Sequence, residues 1–291
     1  MSLILLSFYT EGPPHDNGIN LTDEKNRFIS LTKNYYDKII LYNPRKLIDE
    51  NKNWEEILYD KVFFNKHIKP SKEYKINLNW AATNGFLWKP ALIKLVLNKS
   101  FILENDILIY HDFNIKKYPD HLERIFQLPN HVRKKLINSS VITEIGLSAL
   151  SHGVKKEVLD KYLQISGDNH LIFSGRFIAF KKNKHSKDFC NKWLELLSIE
   201  ENRNQLTKYP YKKNFVWHTQ DQAILSVLIY LWFQNKKSKY ISCIRYKNSK
   251  ASLAQNIKYY LYFIKFFTYF YLTKNPINII KEYAKIRPKL F

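Results

Sequence analysis

The chain has 291 residues, enough for one large domain or a domain with an appendage; 45% are apolar, and only 7 Gly and 10 Pro occur, which excludes disordered and collagen-like states. Its net charge of +21 comes from 47 Lys and Arg against 26 acids. The basic residues are scattered and few are Arg, which argues against nucleic acid and leaves a solvated surface, nucleotide phosphates or an anionic membrane to account for the charge.

The first residues, MSLILLSFYTEGPPH, have no basic n-region and only a short apolar run, which predicts a first β-strand over 3–8 rather than a leader. Thr22 is placed to cap a helix running to about Tyr36, and KIILY (38–42) reads as a second strand that Asn43 and Pro44 end. Residues 53–64 and 88–100 read as helices, with Pro90 suited to the first turn of the latter. DILIYHD (106–112) is apolar almost throughout, as a central parallel strand covered on both faces must be. The stretch 116–168 is polar and irregular, with some helix, and is expected to hold a mobile loop. Beyond it NHLIFSGRFIAFKK (169–182) is strand-like and SKDFCNKWLELL (186–197) is an amphipathic helix behind a Ser cap. TQDQAILSVLIYLWF (219–233) is an apolar helix, and KYISCIRY (239–246) a late strand. This order predicts an α/β fold: a mostly parallel sheet with helices on both faces, binding ligands beyond the carboxyl ends of its strands.

From residue 251 the composition changes. NIKYYLYFIKFFTYFYLTKNPINIIKEYAKIRPKLF carries one acid, Glu282. Basic, aromatic and too short to span, 251–291 reads as an amphipathic helical tail lying in a membrane interface, where each Lys or Arg contributes about 1 kcal/mol against an anionic leaflet. A helix pair packed on the domain is the other reading. The two cysteines, Cys190 and Cys243, exclude a disulfide framework or cysteine-rich zinc site and suit a reducing compartment.

His111, Asp112 and Asn114 stand where the 106–112 strand ends. In extended chain, residues i and i+2 point the same way, so the Asp112 carboxylate and the Asn114 carboxamide can face one point. A hard divalent cation that keeps waters and substrate phosphates in its other positions suits that pair. Asp-x-Asn alone also caps and turns. His111 is expected on the opposite face, as a structural residue.

The order NGFLWKPALIKLVL (84–97), END, ILIYHDFN resembles bacterial surface-polysaccharide (capsule and lipooligosaccharide) glycosyltransferases with a GT-A fold, at Trp88, Lys89, Pro90, Asp106, Tyr110 and Asp112. FSGRFIAF (173–180) resembles their strand that passes under the donor sugar, where Gly175 lets the backbone come close. DQAILS (221–226) resembles the helix start of retaining members, whose Asp and Gln lie beside the sugar's reacting carbon. The resemblance implies a GT-A-like, Rossmann-type catalytic domain over 1–250, with 251–291 as its appendage. It implies transfer of a sugar from a nucleotide-diphosphate donor to a glycan or lipid-linked acceptor, at the cytoplasmic face of the membrane, with retention slightly favoured. The catalytic residues would be Asp221 and Gln222. The nucleotide-sugar-binding residues would be Tyr9, Thr10, Trp88, Lys89, Asp112, Ser174 and Gly175. A divalent metal, Mn2+ or Mg2+, would be held by Asp112, Asn114 and His218. The sequence departs from the family in having Asn114 where a second acid is usual, and in having no His after His218 to act as a late ligand. An inverting member would need a carboxylate base, for which Asp168 and Asp221 are available. An Asp-x-Asp phosphohydrolase is excluded, since Asn114 cannot be its acid. The alternative is a non-catalytic basic protein that binds membrane or nucleic acid.

Overall fold

The computed structural model describes residues 1–9, 21–60, 62–63, 84–113, 120–168, 170–204, 218, 220–235 and 237–244. Among these, the strands β1 (Leu3–Phe8), β2 (Lys38–Tyr42), β3 (Ile107–His111), β4 (Val141–Ala149), β5 (Leu171–Lys181) and β6 (Ile241–Ile244) form one sheet. Its order is β2-β1-β3-β5-β4-β6. The helices are α1 (Leu21–Thr32), α2 (Pro44–Glu50), α3 (Trp54–Leu58), α4 (Trp88–Leu97), α5 (Asp120–Lys135), α6 (Leu150–Gly153), α7 (Lys156–Tyr162), α8 (Lys184–Ser198), α9 (Glu200–Arg203) and α10 (Gln220–Gln234).

β1 pairs in parallel with β2 and β3, and β4 with β6; β5 alone runs antiparallel to its neighbours β3 and β4. The sheet is thus mostly parallel and flanked by helices, the α/β architecture that the sequence predicts. Period-two alternation sorts each strand between two cores. Ile4, Leu6, Phe8, Leu108 and Tyr110 meet the apolar sides of α4, α8 and α10, while Leu3, Leu5, Ile107 and Ile109 meet Phe28 of α1 and Ile125 and Val132 of α5. Every residue of β1 and of β3 is buried, which is why both read as unbroken apolar runs.

α10 is apolar almost all round because it lies inside, against β5 and α8. Its few polar groups pin it in register. Ser226 Oγ accepts from Phe173 N at 2.9 Å and Tyr230 OH donates to Leu171 O at 2.9 Å.

Three expectations need correction. Residues 141–149, read as part of an irregular stretch with some helix, are the strand β4. The register of β4 on β5 shifts between Thr143 and Glu144 and again between Ile145 and Ala149, and a Cβ on Gly146 would lie 2.8 Å from Ile172 O. A bulged strand with such a close approach has no clean alternation to read. The helix expected over 53–64 is short: α3 closes at Leu58, with Tyr59 extended. α8 begins at Lys184 behind Asn183, not at a Ser cap. Asn183 Oδ1 accepts from Ser186 N at 3.0 Å and Ser186 Oγ accepts from Asn183 N at 3.1 Å, so Ser186 is the returning half of a capping box.

No helix among the described residues is long and apolar enough to cross a membrane. The tail over 251–291, Thr10 and Asn114 lie outside the described residues.

Candidate active site

α4 opens on Trp88, Lys89 and Pro90, with the proline in the first turn, where a missing N–H costs nothing. Lys89 is turned inward. Its Nζ lies 2.7 Å from Asp221 Oδ2 and 3.6 Å from Asp112 Oδ1, and donates to Gly175 O at 3.0 Å. The ring centroids of Tyr110, Trp88 and Phe86 stand 5.3, 5.7 and 5.8 Å from the same nitrogen, within cation–π range. Asp112 leaves β3 at its carboxyl end, one residue past the last buried strand position. Its N–H donates to Arg176 O at 2.9 Å, and its Oδ1 accepts from Tyr110 OH at 2.8 Å. With 33% of its side chain exposed, Asp112 is the open member of the group.

Asp221 is buried in the first turn of α10, where the helix dipole favours a carboxylate. Trp193 of α8 fixes that turn by donating Nε1 to Asp221 O at 3.2 Å. β5 passes directly beneath. A Cβ on Gly175 would stand 3.0 Å from Asp221 Oδ2 and 3.3 Å from Gln222 Cβ, so strand and helix start can meet this closely only at glycine. Ser174 is buried, and its Oγ accepts from Arg176 N at 3.2 Å, which supports the strand around Gly175.

The charges are tightly coupled. Burial by itself would lower the Lys89 pKa, but the Asp112 and Asp221 carboxylates outweigh it and leave the ammonium more basic than usual. Burial pushes the Asp221 carboxyl above its ordinary value, with Lys89 holding it back. Burial, with Asp112 beside it, raises Tyr110 well above the phenol range, so its hydroxyl stays a donor.

Tyr9 is buried beside this group, at the carboxyl end of β1. Its N–H donates to Tyr42 O at 3.0 Å and its hydroxyl accepts from Asn43 Nδ2 at 3.2 Å. Its ring centroid is 5.5 Å from that of Phe113, and Lys25 Nζ lies 5.7 Å from it. Trp88 is buried with its ring stacked on Phe8 at 4.1 Å, which ties α4 to the end of β1.

The structure therefore brings Lys89, Asp112, Gly175, Asp221 and Gln222 together from four separate elements. It does not give His218 to a metal. That imidazole is wholly buried, with Nδ1 accepting from Lys155 N at 3.3 Å and Nε2 donating to Asn202 O at 2.6 Å, so both nitrogens serve the chain itself. His111 is buried in β3, its Nδ1 2.8 Å from Asp112 O. Asp168 is exposed in the turn after α7. Among the described residues no group of three His, Cys, Asp or Glu side chains is placed to hold a metal. The two carboxylates that do converge have an ammonium between them, and so do not fit a divalent ion bridging them. Two partners went unassigned in the sequence: the hydroxyl of Tyr110 and the indole of Trp193. The first was legible in principle, since Tyr110 and Asp112 are two apart in a strand; the second, 28 residues from its acceptor, carried no local signal.

No known protein family matches the chain, and no curated protein matches it. Among solved structures, the chain is similar to the 4-diphosphocytidyl-2C-methyl-D-erythritol synthase of Anaerococcus prevotii, at 12% identity, over 89% of this chain and 95% of that one, with a TM-score of 0.39. A likeness at that level says nothing about activity.

Proposed function

We propose that the chain is a glycosyltransferase that moves a sugar from a nucleotide-diphosphate donor to a glycan or lipid-linked acceptor. The observation that carries this reading is the meeting of FSG, DQA and the Asp112 carboxylate at Lys89 of WKP, by the carboxyl end of β3, where open α/β sheets bind their ligands. Gly175 gives the close backbone approach that a sugar lying over the strand requires. Asp221 and Gln222, at the start of α10, orient that sugar, and Asp112 with its exposed edge accepts from its hydroxyls. Tyr9 and Phe113, buried together at the carboxyl ends of β1 and β3, support the edge of the sheet beside which a nucleotide base would lie. A slight preference for retention rests on the resemblance of DQAILS alone.

Asp112→Ala abolishes transfer from a nucleotide sugar while leaving circular dichroism and thermal unfolding near those of the parent chain. Full activity in that variant would sink the assignment. A search for the donor starts with thermal unfolding in the presence of UDP, GDP and CDP. A response to heparin or nucleic acid and to none of these nucleotides would favour the non-catalytic basic protein instead.

A further inference from the structure

We propose that Lys89 Nζ is the resident cation of this site, that the site takes its donor without a divalent metal ion, and that the group it receives is the hydroxyl-bearing sugar rather than the diphosphate. The inference rests on the transferase reading for its ligand and on geometry for its cation. An ion shared by Asp112 and Asp221 would have to stand between them, and that place is taken by an ammonium 2.7 Å from one carboxylate and 3.6 Å from the other. The ammonium is not a mobile surface charge. It is buried, it is bonded to Gly175 O at 3.0 Å, and aromatic rings surround its stem and head. A divalent ion at oxygen-ligand distance from both acids would meet Lys89 at close range, and two cations in a dry site repel strongly.

The charge count follows. With both carboxylates ionised, Lys89, Asp112 and Asp221 sum to one negative charge, which repels a diphosphate and accepts hydrogen bonds from neutral hydroxyls. Basic side chains for the phosphates lie to one side, at the ends of β1 and β2: Lys25 beside Tyr9, and Lys46 with its Nζ 4.5 Å from the Tyr42 ring. A negative group under the sugar also favours the positive charge that develops on its ring as the bond to the diphosphate breaks.

Two measurements decide the matter. The first titrates Mn2+ into the EDTA-treated, ligand-free protein and follows the free ion by electron paramagnetic resonance. The parent chain binds none at this site, whereas Lys89→Met, which leaves two acids facing each other, gains a Mn2+ site that Asp112→Asn in the same chain removes. Mn2+ bound by the parent chain and lost in Asp112→Asn overturns the inference, whatever the donor is. The second measures calorimetric binding of UDP- and GDP-hexoses in EDTA and in Mn2+. Affinity is the same in both, and Lys89→Met weakens it about a hundredfold in EDTA. Binding only when Mn2+ or Mg2+ is present overturns the inference and leaves the transferase reading standing. Binding of no nucleotide sugar under either condition overturns the transferase reading, and the Mn2+ titration still decides the cation. Where Lys89→Met does not fold, Lys89→Met with Asp221→Asn, which carries one fewer uncompensated acid, takes its place in the binding measurement.

Discussion

A single missing methyl group decides how close β5 and α10 can come. At Gly175 an added Cβ finds Asp221 Oδ2 at 3.0 Å and Gln222 Cβ at 3.3 Å, so the Asp221 carboxylate or the start of α10 must give by a few tenths of an ångström. Gly175→Ala therefore destabilises the protein by about 1–3 kcal/mol in urea unfolding. It also displaces Asp221 from Lys89, so nucleotide-sugar transfer falls further than stability alone explains. His218 offers a second test. Burial first, then the nearby Lys155 charge, push its pKa from 6.5 to about 3, against the opposing hydrogen bond to Asn202 and the Glu157 charge. The folded state thus resists a proton that the unfolded chain takes up, so this contribution is complete above pH 6.5 and is lost as pH falls toward 3. Its slope reaches about 1.4 kcal/mol per pH unit, and urea unfolding across that window in the parent chain and in His218→Asn measures it: the variant has the shallower dependence. A histidine that resembled a ligand by its place in the sequence is a buried brace.

At the scale of elements, legibility followed the strength of the local pattern. β1, β3, α4 and α10 were readable because burial on both faces writes an unbroken apolar run, and Asp112 was readable because a strand of that kind ended at it. β4 was not, because Gly146 and two register shifts interrupt its alternation. The site shows the same division. Its motifs could be named singly, yet the ion pair that joins them links Lys89 to Asp221, far apart in the sequence, and no spacing rule predicts such a contact. Helix starts are where local chemistry is both legible and testable. Asn183 caps α8 and also donates Nδ2 to Ser140 Oγ at 3.0 Å, tying that helix to the residue just before β4. Asn183→Ala costs about 1 kcal/mol in chemical denaturation, with the loss shared between the cap and this tie.

At the scale of the whole molecule, β5 is antiparallel to both strands it joins, and within the sheet of the described residues it alone links the leaf β2-β1-β3 to the leaf β4-β6. The Asp112 amide is bonded across that joint to Arg176 O, and the Lys89 head is bonded to Gly175 O on the same strand. An opening that separates β3 from β5 along its length would part the sheet at its centre and expose both cores at once. The joint therefore has no private melting step. In native-state hydrogen exchange the amides of β3 paired to β5 trade their protons only as the fold opens globally, while amides on the outer strands β2 and β6 exchange earlier through fraying. Exchange along β3 ahead of those edges would show that the joint opens by itself. What holds the chemistry in place is then not a loop's rigidity but the persistence time of the fold.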